Sequence, residues 1–572
     1  MPNHLRAPAR HGNLLLAPEG SLTELVRSHE ARQATGQLWD RPLTEVREEA
    51  RAAVYQLAIR YTSDLIGPVS VRGPQPYLSL KPPHPGPLTH SGVHPESSAE
   101  SGGERAETTL PPPHWIIGGH QPELFHPGVW VKNAVVAGLA NQLGGVGLNL
   151  IVDNDVCTGA SVRMPSRSGS AGMTSLDWDV SRPQSPWEER PQPDPEMFAT
   201  FGERCREQLR PWGIYPLAAS QDWRASPERG IVDRLVQLRA RFEQSAGIRN
   251  LELKVSDLAD TQCFRHFLFG ALREASQLRE AYNSSLADYR TINRIRSHSH
   301  PVPPLDATEQ GIEVPFWVWR TGETRRSRLF VEAVGSETLR LRSGSREVGT
   351  ISIRSEKVAL QALSELRLQG WKIRPRALTL TLFSRVCLGS VFIHGIGGAK
   401  YDELTDVLMQ RWLGLTPPQI IVATATLRLF ERFAGPRLEP EIARFKRELR
   451  LIRWNPELIR TGETNDARAA ALREEKSALI ASAVPRATRH ARLQSLNTAL
   501  RAGLTEHEQQ VRHQLQQLLT ALPHQQSLHS REYAANLFPA EVIQELFRRV
   551  LDGSGSSDRT EMSRKWSSST RS

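Results

Sequence analysis

Residues 115–155 read WIIGGHQPELFHPGVWVKNAVVAGLANQLGGVGLNLIVDND, and the fold turns on them. A short apolar run leads into a Gly/His/Pro turn, a helix-like segment follows, and a second apolar run ends in Asp-Asn-Asp. Continuous apolar runs of this length suit strands covered on both faces, as in a parallel sheet, so the stretch predicts one βαβ unit. A second unit of the same texture begins at residue 390: SVFIH, then GIGGAKYD, then ELTDVLMQRWLG, with QIIVATATL as the next apolar run. In both, a strand runs through a glycine-containing turn into a helix. That arrangement aims backbone N–H groups and the positive helix end at an anion, and Lys132 and Lys400 read as first-turn point charges for a phosphate or carboxylate.

Outward from these units the chain changes texture several times. Its 572 residues exceed one compact core, and a hydrophobic fraction of 39% suits a water-soluble chain. Residues 1–67 read as a helical part of the core, with helical periodicity over 20–66, and 68–112 as a Pro/Gly/Ser-rich insertion too polar to order itself. Residues 113–310 hold the first βαβ unit and a helical insertion. Residues 311–357 alternate in period two (EVPFWVWR, RSRLFVEAV, TLRLRS, EVGTISI) and predict a small antiparallel sheet. The core resumes over 358–435; 531–552 dock back on it, and 553–572 read as a disordered tail.

Residues 436–530 are helical and charged. Leu493, Leu496, Leu500, Leu504, Val511, Leu515, Leu518 and Leu522 follow three/four spacing with one missed turn at His507, the mark of a coiled-coil seam of about four heptads or of an amphipathic helix on the core. The expected class is therefore α/β: a Rossmann-like parallel core, a small antiparallel insertion and a C-terminal helical arm.

Carboxyl ends of neighbouring strands in an open parallel sheet face one crevice, where ligands bind. This predicts a shared cavity for Gly119, His120, Gln121, His126 and Lys132 after the first strand, Asp153 and Asp155 after the second, and His394, Gly395, Gly397, Gly398 and Lys400 after a third. Imidazoles near neutral pKa suit proton transfer, lysines suit a developing negative charge, and carboxylates suit an amine or base work. Singly, each histidine is equally a loop or capping residue, and each aspartate a strand-end turn. A metal held by His and Asp is the alternative reading, without an HxxxH or HxH spacing to support it. Cys157, Cys205, Cys263 and Cys387 form no CxxC pair and read as ordinary buried thiols.

At these residues the chain resembles the bacillithiol biosynthesis cysteine-adding enzymes. Their GQQxGL, GPxY and K stretch is similar to Gly119-His120-Gln121-Pro122-Glu123-Leu124, then Pro127, Gly128, Trp130 and Lys132. Their acidic strand end is similar to Val152-Asp153-Asn154-Asp155, and their GG…Y turn to the segment from Gly395 to Tyr401. IIVATATL and Phe538-Pro539 are further matches. His120 stands for the family's first Gln, Asn154 for its His, and Gly398 near an expected acid. The resemblance implies a Rossmann-like core related to nucleotide-binding ligases, a coiled-coil arm, and amide formation between an amino acid and an amino-sugar conjugate.

Residues and resemblance together lead to a carbon–nitrogen ligase-like enzyme that joins an amino-acid-type carboxylate to an amine, with ATP or ADP near the glycine turns. His120, Asp153, Asp155 and His394 are its catalytic candidates; Gly119, Gln121, Lys132, Gly395, Gly397, Gly398 and Lys400 are its ligand-binding candidates. The alternatives are a binding or scaffold protein that oligomerises through its arm, and an RNA-associated protein drawing on the net charge of +10. Against the last, no aromatic-interleaved basic motif is present, so nucleic acid is not the expected partner. With no run near 18 apolar residues, and only LLLA where a signal peptide would need a longer core, the chain reads as cytoplasmic.

Overall fold

The computed structural model describes residues 5–33, 36–68, 113–166, 172–459 and 467–552. The expected insertion over 68–112 and the tail lie almost wholly outside them. Among the described residues twelve strands form two six-stranded sheets: β1 (Asn13–Ala17), β2 (Trp115–His120), β3 (Val146–Ile151), β4 (Leu251–Lys254), β5 (Ala307–Thr308), β6 (Gly311–Arg320), β7 (Ser327–Val334), β8 (Thr338–Ser343), β9 (Arg346–Ser352), β10 (Trp371–Pro375), β11 (Val391–His394) and β12 (Ile421–Thr426).

The main sheet has the order β1-β12-β11-β2-β3-β4, parallel throughout except that β1 runs antiparallel to β12. Its first parallel strand, β2, is central; β3 and β4 extend the sheet to one side, β11 and β12 to the other. The path of the chain therefore reverses between β2 and β11. Strands β3, β11 and β12 are buried residue by residue, which is why they are written as unbroken apolar runs. Alternate residues divide between two cores. Ile116, Val391 and Ile393 pack with Val135 and Val136 of the helix Pro127–Leu143, whereas Trp115, Ile117 and Phe392 join the larger core on the other face. The NLLLA segment near the N-terminus is a strand, β1, within a region expected to be helical.

Gly128 sets how closely the helix Pro127–Leu143 approaches β12. A Cβ there would stand 2.4 Å from the Ala425 carbonyl oxygen, and the Gly128 carbonyl accepts from Thr424 Oγ1 at 3.0 Å. Alanine ordinarily strengthens a helix by about 1 kcal/mol over glycine, but backbone cannot yield as a side chain does. Gly128→Ala should therefore lower stability by about 1–3 kcal/mol in urea unfolding. An unchanged midpoint would mean that the helix is free to slide off the strand.

The second sheet is antiparallel, in the order β5-β6-β7-β8-β9, with β10 also on β6. It contains the expected 311–357 strands and extends beyond them, because Trp371–Pro375, assigned from sequence to the resumed core, pairs with Phe316–Arg320. Pro315 has no N–H to give, and the register shifts between Val314 and Trp317. The helical stretch expected over 20–66 is likewise divided, into Leu22–Gln33 and Leu43–Ile66, with a small hairpin of Gln37–Leu38 and Arg41–Pro42 between them.

The expected seam is not one helix. Arg486–Ala502 ends at Gly503, and Thr505–Leu528 starts after Leu504. Three/four spacing carries across this break because Leu504 falls four residues after Leu500 even though the helix stops. Leu496, Leu500, Leu504 and Val511 are buried within this chain; Leu493, Leu515, Leu518 and Leu522 are half-buried. Thr505–Leu528 packs on Glu439–Trp454, with His507 Nε2 2.8 Å from the Glu448 carboxylate. The C-terminal helix Ala540–Leu551 returns to the main sheet, setting Phe547 edge-on to Trp130 at 5.5 Å. Among the described residues no helix is long and apolar enough to cross a membrane.

Candidate functional site

The carboxyl ends of β2 and β3 border a narrow cleft lined by Gly119, His120, Gln121 and Glu123 together with Trp130, Asn149 and Arg239. Pro122 helps end the strand, and the polar side chains of His120, Gln121 and Glu123 around it line this space. His120 Nδ1 lies 3.3 Å from the Gln121 carbonyl and 3.9 Å from the Glu123 carboxylate, with its ring edge-on to Phe125. Burial and the Lys132 ammonium push His120 down to about 3, which favours the neutral imidazole. Burial, with the charge of Asp155, raises Glu123 above the usual carboxylate range.

Gln121 Nε2 donates to Asp155 Oδ2 at 2.9 Å, while Asp155 Oδ1 accepts from Val156 N at 2.8 Å and from Arg326 Nη2 at 3.1 Å. Arg326 Nη1 also donates to the Asn154 carbonyl at 2.7 Å and its guanidinium covers Trp317, so the inserted sheet is tied to the acidic turn. Asp155 keeps an exposed edge. Asp153, expected in the same cavity, is closed into the fold: its carboxylate accepts from Ser256 N and Oγ. Burial and the neighbouring Glu188 push Asp153 up to about 7. Its work is to hold β3 against the helix Val255–Ala259.

Lys132 also departs from expectation. It is the sixth residue of its helix, buried, and donates to the Gly119 carbonyl at 3.1 Å; burial lowers it to about 8. The first turn has no donors left for an anion. Pro127 lacks an N–H, and Gly128 N is taken by His126 Nδ1 at 3.1 Å.

At the second unit Gly395 is extended (φ −81°, ψ 171°), and a Cβ on Gly395 or Gly397 would meet nothing within 4 Å. The turn is therefore not a strained phosphate-wrapping loop. It is a helix start with no side-chain cap, beside Lys400, which forms no ion pair among the described residues. Gly398 does have a spatial reason: a Cβ there would stand 2.8 Å from His394 Nδ1.

His394 itself is buried. Its Nε2 is 2.9 Å from Asp402 Oδ2, which accepts from Arg385 Nη1 at 2.8 Å, and Arg385 Nη2 reaches Asp406 at 2.6 Å. Burial opposes the charge on Asp402, but Arg385 and His394 outweigh it and hold the carboxyl at about 2. A carboxylate so anchored fixes the imidazole and leaves Nδ1 facing the helix start.

His394 does not join His120 around one cavity. In the register Ile393 lies beside Gly118, so His120 points with Ile393 and His394 points with Phe392, whose ring it contacts at 4.4 Å. The two histidines end adjacent strands on opposite faces of the sheet, and only His120 lines the cleft.

Sequence reasoning missed the polar group behind the cleft. Arg239 binds Glu243 at 2.9 Å and Glu252 at 2.6 Å; Glu243 also takes Trp130 Nε1 and Asn133, and Glu252 takes Asn149. The two carboxylates hold Arg239 protonated, while burial pushes Glu252 up. Asp402, eight residues after His394 in the quoted KYD, was the one member of the His394 relay within reach of a sequence reading. Among the described residues no group of three or more His, Cys, Asp or Glu is placed to hold a metal ion. No family model matches this chain, and no curated protein matches it either.

Proposed function

We propose that this protein is a carbon–nitrogen ligase-like enzyme on a Rossmann-like core, joining an amino-acid-type carboxylate to an amine, the reaction implied by the resemblance to the bacillithiol cysteine-adding enzymes. The observation that carries the reading is the reversal of the chain between β2 and β11. In doubly wound sheets the crevice at such a reversal is where ligands bind, and here it separates an acidic turn from an uncapped helix start.

Roles follow from the geometry on either side. Glu123 and the exposed edge of Asp155 accept hydrogen bonds from the amine, and Gln121 and Arg326 fix Asp155 for that task. Neutral His120 adds a hydrogen bond within the cleft, and Lys132 braces the strand end through the Gly119 carbonyl. On the other side the first-turn N–H groups of the helix Ile396–Leu413, with Lys400, suit a phosphate. His394, oriented by Asp402, hydrogen-bonds or exchanges a proton with an oxygen held there. A bound ATP would supply the driving force for amide formation.

ATP or ADP with magnesium at millimolar concentration should raise the melting temperature, because a ligand at about 100 times its Kd adds about 2.7 kcal/mol to the folded state. Lys400→Ala should remove most of that gain while leaving the unliganded melting temperature within about a degree, since Lys400 supports no ion pair among the described residues. If no nucleotide stabilises the protein, the ligase reading falls.

A further inference from the structure

A second cavity lies beneath the small hairpin that interrupts the N-terminal helical stretch. The helix Gln262–Arg273 forms one wall, and Glu356 stands at the rim. It shares no lining residue with the cleft at β2, and its apolar walls belong to the core that holds Ile117.

Three independent features mark this cavity. Trp39 has φ 54°, a left-handed conformation that a bulky side chain rarely adopts. Its indole lies across Gly270, where a Cβ would be 2.0 Å from the ring, so an unfavoured backbone and a missing side chain together place a flat ring at the cavity. Backbone strain kept at a cavity wall is a pointer to use. Secondly, Trp39 Nε1 is buried and has no acceptor among the described residues, a donor that an incoming oxygen would satisfy. Thirdly, the walls are apolar (Leu38, Val46, Phe267, Phe269) while the rim cations differ in engagement. Arg41 holds Glu49 and His266 holds Glu356, each at 2.6 Å, whereas Arg273, over the Phe269 ring at 5.9 Å, has among the described residues no carboxylate closer than its sequence neighbour Glu274, at 3.4 Å.

We propose that this cavity binds a small aromatic carboxylate, with its ring against Trp39 and Phe267, a ligand oxygen accepting from Trp39 Nε1, and the carboxylate paired with Arg273. The proposal does not rest on the ligase reading. Aromatic packing supplies contact area, the indole N–H supplies orientation, and the charge selects acids over neutral analogues.

Saturation-transfer NMR and calorimetric titration of the full chain with benzoate, 4-hydroxybenzoate and indole-3-carboxylate test it, with benzyl alcohol as the neutral comparison. At least one acid should bind, and benzyl alcohol should bind roughly tenfold more weakly. Arg273→Gln should abolish that preference. Trp39→Phe, which keeps an aromatic ring and loses the donor, should weaken the acid roughly tenfold. If Trp39→Phe does not fold, Arg273→Gln and the acid–alcohol comparison decide alone. No binding by any acid at about 10 mM, equal binding of acid and alcohol, or acid binding unchanged by Arg273→Gln would overturn the proposal.

Discussion

Replacing Arg239 with methionine should cost the fold about 3–5 kcal/mol at pH 7, measured by urea unfolding, because it strands two buried carboxylates without their cation. Glu243 and Glu252 are 2% and 1% exposed, and the guanidinium lies within 3.0 Å of both. With the cation gone, burial, which already pushes Glu252 up, would act on it without the guanidinium to oppose it. A raised acid is protonated in the folded state where the unfolded chain is already ionised, so the penalty grows as pH rises and shrinks as pH falls toward the unfolded carboxylate range. The loss should accordingly be larger at pH 8 than at pH 5. Adding Glu243→Gln and Glu252→Gln should restore much of it, since neutral amides no longer need the guanidinium. A loss below about 1 kcal/mol, or one independent of pH, would show that water reaches the group and that it is not the sealed floor of the cleft.

Asp402→Ala should be nearly as damaging, about 3 kcal/mol or more, because Arg385 is 1% exposed and would keep only the half-exposed Asp406 as a carboxylate partner. The sign with pH is opposite. Asp402 is held at about 2 in the folded protein, so its contribution is complete above the unfolded carboxylate pKa and is lost as pH falls from about 4 toward 2. Wild type should weaken through that window by an amount that Asp402→Asn lacks. The asparagine variant keeps the volume but not the charge, and should free the His394 ring, visible as a shift in its imidazole NMR signals. Coincident pH-stability curves for wild type and Asp402→Asn would remove Asp402 from the account of acid stability.

The parallel core was legible because β2, β3, β11 and β12 are buried on both faces and hence written as apolar runs next to glycine-rich turns. What failed to read were features that depend on register or on distant pairing. WIIGGH and SVFIH both end in histidine, and only the alignment of Ile393 with Gly118 shows that the two rings leave by opposite faces. Arg239 and Glu243 are four apart on a helix, a spacing that in sequence looks like a solvated ion pair; Glu252, on another element, turns it into a buried one. Lys132 looked like a helix-start lysine because the boundary was read late: Pro127 begins the helix, and Lys132 lies beyond its first turn. Asp153 and Asp155 differ by two residues yet separate into a closed bracket and a half-exposed carboxylate. The leucines from 493 to 522 kept their spacing through Gly503, where the helix does not continue.

The central position of β2 also sets a timetable for biosynthesis. One edge of β2 is covered within a few dozen residues, when β3 emerges; the other waits for β11, roughly 270 residues later, which at 5–20 residues per second is roughly 15–50 s. For that interval a nascent chain carries a half-built sheet with an open, apolar edge, the kind of edge that pairs with other chains. Production of this protein should therefore depend on translation speed and on holding chaperones more than its final, well-covered sheet would suggest.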